Sequence, residues 1–266
     1  MQNPPKLAVF SDLDGTLLDH DTYSWADAQP ALARLAARGI PVVLTSSKTA
    51  AEIVLLQEEM GLMDQPAIVE NGSGIVGLPG QADNSTYSQL RMQLDELPDH
   101  LRSHFIGFGD MTTQEVALHT GLSPDAAKRA QDRAFSEPGI WSGSDDTLAD
   151  FRSALADQGI VAQHGGRFLT LSFGRTKADA MHVVSSALAA TRTVALGDAP
   201  NDITMLQAAD QGVIVANPHR PVLPPLEGEA EGHIIRTRKP GPKGWNEAIN
   251  ALLDGLDYSE GANNHG

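Results

Sequence analysis

Along the chain, short aliphatic runs alternate with stretches in which apolar residues recur every three or four positions. Leu7 to Phe10 reads as a strand. In residues 27–38, Leu32, Leu35 and Ala36 share one helical face, and Gly39 is a natural stop. A second strand is predicted at 41–44. Thr49 and Glu52 have capping-box spacing ahead of Ile53, Leu55 and Leu56, with Gly61 as terminator. Ala67 to Val69 reads as a third strand, followed by an Asn71-Gly72 turn. The same rhythm returns late in the chain. A helix is predicted from Lys177, a strand at 194–196, a helix through Met205, strands at 213–215 and 233–235, and a helix at 245–253. Strands alternating with helices in this way predict a parallel, Rossmann-like α/β sheet.

Between the two halves the pattern changes. Residues 77–85 (GLPGQADNS) crowd glycine, proline and polar side chains together, the composition of a connection. Beyond them, Ser123-Pro124 is a strong helix start, 145–158 reads as a helix, and 161–173 as a strand pair turned at Gly165-Gly166. The expected organisation is a core domain (1–82 and 174–257) interrupted by an inserted α+β domain (83–173), with a frayed polar tail at 258–266. Residues 220–232 (RPVLPPLEGEAEG) form a long Pro- and Glu-rich loop without an assignment.

Composition narrows the function. The 266 residues are 41% hydrophobic but only 5% aromatic, so aliphatic side chains must fill the core. With 19 basic against 34 acidic residues the formal charge is −15. Nucleic acids and anionic membranes are bound by basic surface, so neither is an expected partner. A small anionic substrate remains compatible if a metal or local positive charge outweighs the global field. The absence of cysteine removes disulfides, thiolate zinc sites and Cys nucleophiles together. No leader pattern opens the sequence, and no apolar run approaches the roughly 20 residues that span a bilayer. A soluble, cytoplasmic protein is expected; the oligomeric state is not legible.

Candidate chemistry gathers at predicted strand ends. Asp12-Leu13-Asp14-Gly15-Thr16 closes the first strand, where open α/β sheets place their ligands. The spacing does not fit a calcium loop, because the positions that need Gly and Glu hold Leu17 and Tyr23. Gly197-Asp198-Ala199-Pro200-Asn201-Asp202 closes a later strand. A helix cap would explain one Asp or Asn there. Two carboxylate clusters at strand ends of one sheet instead suggest a shared cation, and hard oxygen ligands without thiolate or paired His favour Mg²⁺. Ser46, followed by Ser47 and Lys48, ends the second strand just before a helix, a position suited to binding an anion and also to ordinary capping. Lys177 opens a helix, where the dipole disfavours it.

Taken together, D-x-D-G-T, the strand-end Ser46, the helix-opening Lys177 and G-D-x-x-N-D resemble, in order, the motifs of the haloacid-dehalogenase (HAD) superfamily of phosphatases. The insert lies between the second and third motifs, which resembles the superfamily's type-two (C2) cap. The strings FSDLDGTLLDHDTYSWADA, GIPVVLTSSKTAAE, FSEPGIW, GGRFLTL and PGPKGWNEAI are similar to the mannosyl-3-phosphoglycerate phosphatase family, and they include Glu137 and Arg167 in the insert. Where that pattern often has Thr, this chain has Ser46. The resemblance implies Asp12 as nucleophile, Asp14 as general acid and base, and Ser46 and Lys177 as ligands of the phosphate oxygens. It implies Mg²⁺ held by Asp12, by the Asp14 backbone carbonyl and by Asp198, with Asn201 and Asp202 completing or orienting that shell. Lys48 and Arg167 are candidates for the rest of the substrate, a small phosphorylated glycoside. The alternatives are a glucosyl-3-phosphoglycerate or general sugar-phosphate phosphatase, a phosphomutase, and a non-catalytic sugar-phosphate sensor.

Overall fold

The computed structural model describes the backbone of residues 6–80 and 85–263, with side chains as far as Leu256. Part of the expected connection at 77–85 therefore lies outside the described residues. The strands are β1 (Leu7–Ser11), β2 (Val42–Thr45), β3 (Ala67–Val69), β4 (Gly74–Val76), β5 (Phe105–Gly107), β6 (Ser136–Trp141), β7 (Val161–Gly165), β8 (Phe168–Ser172), β9 (Arg192–Gly197), β10 (Gln211–Ala216) and β11 (Ile234–Pro240). The chain divides into two compact units, Met1–Ser46 with Met181–Gly266, and Ser47–Ala180. Among the described residues no helix is long and apolar enough to cross a membrane.

In the first unit, five strands run parallel in the order β11-β10-β9-β1-β2. Every residue of β1 and β2 is buried. That is why they read as unbroken apolar runs, the mark of parallel strands covered on both faces. Register is set around β1: Val9 pairs with Val42 on one side and with Val194 on the other. Because Ser11 sits opposite Leu196, Asp12 follows β1 beside Gly197, the last residue of β9, and Asp198 comes directly after it. The Asp12 N–H extends the pairing by one bond, to the Leu196 carbonyl at 2.9 Å.

The last helix spans Gly241–Asn263, starting before the predicted Trp245 and continuing into the residues expected as tail. Its first half is anchored firmly. Trp245 is fully buried and donates from Nε1 to Ser11 Oγ at 2.9 Å. Asn246 Oδ1 accepts the Ala31 N–H at 3.0 Å, and Arg34 reaches Asn250 at 2.6 Å and Asp254 at 2.7 Å. Residues 264–266 lie outside the described residues.

The second unit carries an antiparallel β3–β4 hairpin and an antiparallel sheet in the order β5-β6-β8-β7. Its first helix, Ala50–Met60, begins with the expected capping box between Thr49 and Glu52. Leu90, Leu94, Phe105, Phe151, Leu169 and Leu171 form part of one buried cluster, the apolar burial that offsets the ordering of short strands. β5 and β6 have no counterpart among the predicted strands; β5 is only three residues long, and β6 begins with Ser136 followed by Glu137-Pro138-Gly139, residues depleted in strands.

The predicted Asn71-Gly72 turn is more demanding than its sequence suggests. Glu70, Asn71 and Gly72 all have positive φ, at 50°, 59° and 97°. A Cβ on Gly72 would lie 2.2 Å from the Thr176 carbonyl carbon and 2.4 Å from the Lys177 nitrogen, so only glycine lets this turn back onto the helix Lys177–Ala187. The buried Glu70 carboxylate holds the strained segment by accepting from the N–H groups of Ala134 (2.9 Å) and Phe135 (3.2 Å) and from Ser136 Oγ (2.7 Å). Arg133 Nε pairs with it at 3.2 Å. Glu70→Ala leaves a nearly buried guanidinium and two N–H groups without that partner. The expected loss is about 3–5 kcal/mol, read as a lowered urea midpoint; a midpoint within error of the parent would show that the ion pair does not hold the turn.

Candidate active site

Within the first unit, the carboxyl ends of β1 and β9 bring together Asp12, Asp198 and Asp202. All three are buried, and one oxygen from each lies within 4.8 Å of the others. Local folding explains the convergence. After Asp12 the chain turns away through Gly15 at φ 88°, with the N–H groups of Thr16 and Leu18 bonded to the Leu13 carbonyl at 3.0 and 2.8 Å. A Cβ on Gly15 would meet Asn217 Nδ2 at 2.2 Å and Asp198 Oδ2 at 3.1 Å, so the glycine is required by space as well as by φ. After β9, Asp202 Oδ2 accepts the N–H groups of Asp198 and Ala199, both at 3.0 Å, and fixes the loop that carries Asp198.

Asp198 is the most heavily supported member. Oδ1 accepts from Thr16 Oγ1 at 3.0 Å, and Oδ2 accepts from Asn217 Nδ2 at 2.7 Å. Arg220 Nε stands 3.5 Å from Oδ2. Burial pushes the Asp198 carboxyl above its ordinary range; the Asn217 bond works against that, the neighbouring Asp202 charge adds to it, and Arg220 and Thr16 oppose it. Three buried carboxylates this close repel unless a cation or proton sits among them. The donors are all oxygen, the class that hard divalent ions such as Mg²⁺ take. On donor type and spacing, the residues present fit that ion.

The other candidates fall as follows. Asp14 is half-buried on the turn after Asp12 and outside the triad. Asn201 is exposed on the short helical turn Pro200–Asp202. Ser46 is buried immediately after β2, at the same edge of the parallel sheet as Asp12. In the second unit, Lys48 is half-buried and Lys177 is fully buried at the first turn of its helix. Thr176 and Asp179 cap that turn: Thr176 N–H and Oγ1 donate to Asp179 Oδ2 at 2.9 and 2.7 Å. Arg167 is exposed on the β7–β8 turn, donating to the Thr120 carbonyl at 3.1 Å and lying 5.8 Å from the Phe168 ring centre.

Thr16, which the sequence presents only as the end of D-x-D-G-T, supports the triad together with Asn217 and Arg220, to which the sequence pattern assigns no role. Asn217 carried a usable signal, since it directly follows β10 and so stands at the strand edge that holds the other polar residues. Glu137, quoted above only as part of a string, is fully buried in the second unit. It accepts from the Tyr87 hydroxyl and from the Gly109 N–H at 2.8 Å, and Arg91 Nη1 approaches to 3.5 Å. Burial pushes the Glu137 carboxyl up, against the pull of those three partners, while Asp110 adds to the rise. Burial also pushes the Tyr87 hydroxyl up, and the Glu137 charge adds to it.

Comparison with known proteins adds the following. A family profile described as haloacid dehalogenase-like hydrolase matches residues 9–131 and 142–224. The chain is 34% identical over 273 residues to the glucosyl-3-phosphoglycerate/mannosyl-3-phosphoglycerate phosphatase of Persephonella marina, covering 94% of this chain and 98% of that protein. The fold is similar to that of the Synechocystis sucrose-phosphatase solved with sucrose and phosphate, with a TM-score of 0.62 at 17% identity over 93% of this chain and 98% of that one. A solved sugar phosphatase of HAD subclass IIB gives a TM-score of 0.62 at 15% identity, over 94% of this chain and 99% of that chain.

Proposed function

This chain belongs to the haloacid dehalogenase-like hydrolases and is a phosphoric monoester hydrolase, and from that premise we propose that it acts on sugar phosphates, as a Mg²⁺-dependent, cytoplasmic phosphatase converting mannosyl-3-phosphoglycerate to mannosylglycerate and phosphate. The buried triad Asp12–Asp198–Asp202 is the observation that carries this reading. The name of the Persephonella relative supports the glycosyl-3-phosphoglycerate class and keeps the glucosyl ester as a second reading.

In the proposed reaction an Asp12 carboxylate oxygen attacks phosphorus, and the bond from phosphorus to the glycerate oxygen breaks. Asp14 gives its proton to that departing oxygen. Water then attacks the aspartyl-phosphate, Asp14 takes the proton back, and Asp12 is regenerated. Ser46 and Lys177 are assigned to the non-bridging oxygens, and Lys48 and Arg167 to the carboxylate or sugar. Asp12, Asp198 and the Asp14 backbone carbonyl would hold Mg²⁺, with Asn201 and Asp202 orienting that shell. When bound, the ion supplies positive charge among the carboxylates and to the phosphoryl oxygens.

The deciding experiment is phosphate release from mannosyl- and glucosyl-3-phosphoglycerate and from hexose phosphates, with Mg²⁺ or with EDTA. Release is expected on the glycosyl-phosphoglycerates and only with the metal. Faster release from simple hexose phosphates would make the enzyme a general phosphatase, and binding without release would make it a sensor.

Asn217 is proposed as a positioning residue, since it donates to Asp198 without belonging to the triad. Asn217→Ala is expected to raise the Mg²⁺ concentration for half-maximal rate by about 10–100-fold, as loss of an outer partner of a metal ligand does. A Mg²⁺ titration superimposable on the parent's would remove Asn217 from that role.

A further inference from the structure

We infer that His20, Asp21 and His219 form a second metal site, one that takes a transition ion of the zinc, nickel or copper class. The three side chains stand on two loops of the first unit, the one after β1 and the one after β10. Each offers one ligand atom, all within 4.8 Å of one another. The imidazoles stack with centroids 4.1 Å apart and planes 17° from parallel, and Asp21 Oδ2 lies 3.5 Å from His219 Nε2.

Both loops are fixed from behind. Asp19 Oδ1 accepts from the N–H groups of Asp21 (3.2 Å) and Thr22 (3.0 Å) and from Thr22 Oγ1 (2.8 Å), which folds residues 19–22 tightly. Asn217 Oδ1 accepts the His219 N–H at 2.9 Å. The backbone therefore delivers the three groups to one place before any ion arrives. Bonds of about 2.0–2.2 Å to nitrogen and oxygen put tetrahedral ligand atoms roughly 3.3–3.5 Å apart. All three side chains are exposed, so small side-chain rotations close the remaining gap without disturbing a core.

Donor chemistry separates this site from the triad. Two imidazole nitrogens and one carboxylate suit zinc, nickel and copper, whereas the all-oxygen triad suits Mg²⁺. Three protein ligands leave a coordination position for water or another solute. A net charge of −15 favours cation capture in general. An ion here would tie together the two loops that supply Asp14 and Asn217.

The test uses Zn²⁺ alone as probe, on the full chain with Mg²⁺ saturating and no substrate, so its outcome is independent of the phosphatase reading. Calorimetry is expected to show one Zn²⁺ per chain. Each of His20→Ala, His219→Ala and Asp21→Asn should weaken it by at least about tenfold, and the double His variant should abolish it. Hydrogen exchange should show new protection in 19–23 and 217–220 on adding Zn²⁺ to the parent and none in the double variant, whose fold is checked by circular dichroism. Equal Zn²⁺ binding by parent and double variant, or none by the parent, overturns the site. So does binding lost in Asp12→Asn but kept in the His variants, which would put the ion in the triad.

Discussion

Asp12→Asn is expected to abolish phosphate release, by on the order of 10⁴-fold or more, while the chain stays folded. The amide matches the carboxylate in shape, so the end of β1 has no cavity to collapse and the bond from the Asp12 N–H to Leu196 is untouched. What disappears is the anionic oxygen that would attack phosphorus. A second readout distinguishes chemistry from folding. Asp12, Asp198 and Asp202 are buried within 4.8 Å of one another, so removing one charge relieves repulsion when no cation is present. In EDTA the variant should melt at or above the parent temperature, and Mg²⁺ should raise its melting temperature less. Acid-quenched parent should carry an acyl-phosphate that the variant lacks. Turnover within tenfold of the parent would take the nucleophile's role away from Asp12.

The parts of this molecule legible in sequence are those where local pattern and tertiary demand agree. Leu7–Phe10 and Ala67–Val69 sit within strands that are wholly buried, and burial on both faces writes an uninterrupted apolar run. Thr49-x-x-Glu52 announces its helix because the capping box is a local hydrogen-bond arrangement. The meeting of the Asp12 and Asp198 motifs was legible for the same reason, since each ends an apolar run and parallel strands share a carboxyl edge. Elements whose stability comes from distant partners left no such trace. Strand β6 begins with Ser136, Glu137 and Pro138, a poor strand former in every position, yet pairs with both β5 and β8. Nothing beside Glu137 in sequence foretells Tyr87 and Gly109 as its partners. Glu70 stands just before the Asn71-Gly72 turn with no local sign of burial, and its partners are residues 133–136. Asn217 directly follows β10, but its bond to Asp198 depends on how the sheet aligns two strands far apart in sequence.

Asp14→Asn is expected to show the second-largest loss, and the pattern across substrates matters more than its size. Gly15 at φ 88° turns the chain off the sheet just after Asp14, which stays half-buried and outside the buried triad. For a glycerate ester the leaving group is an alkoxide, so removing the acid should slow the first step by about 10²–10⁴-fold. For p-nitrophenyl phosphate the leaving phenolate needs little protonation, and the first step should survive. In the proposed second step water activation would still call for Asp14 as base, so the aspartyl-phosphate is expected to accumulate. Pre-steady-state release of p-nitrophenolate should then show a burst approaching one per chain in Asp14→Asn, followed by slow turnover. The glycerate ester should show no burst, because its slow step comes first. Equal slowing of both substrates without a burst would separate Asp14 from proton transfer and reduce it to a residue that shapes the turn after Asp12.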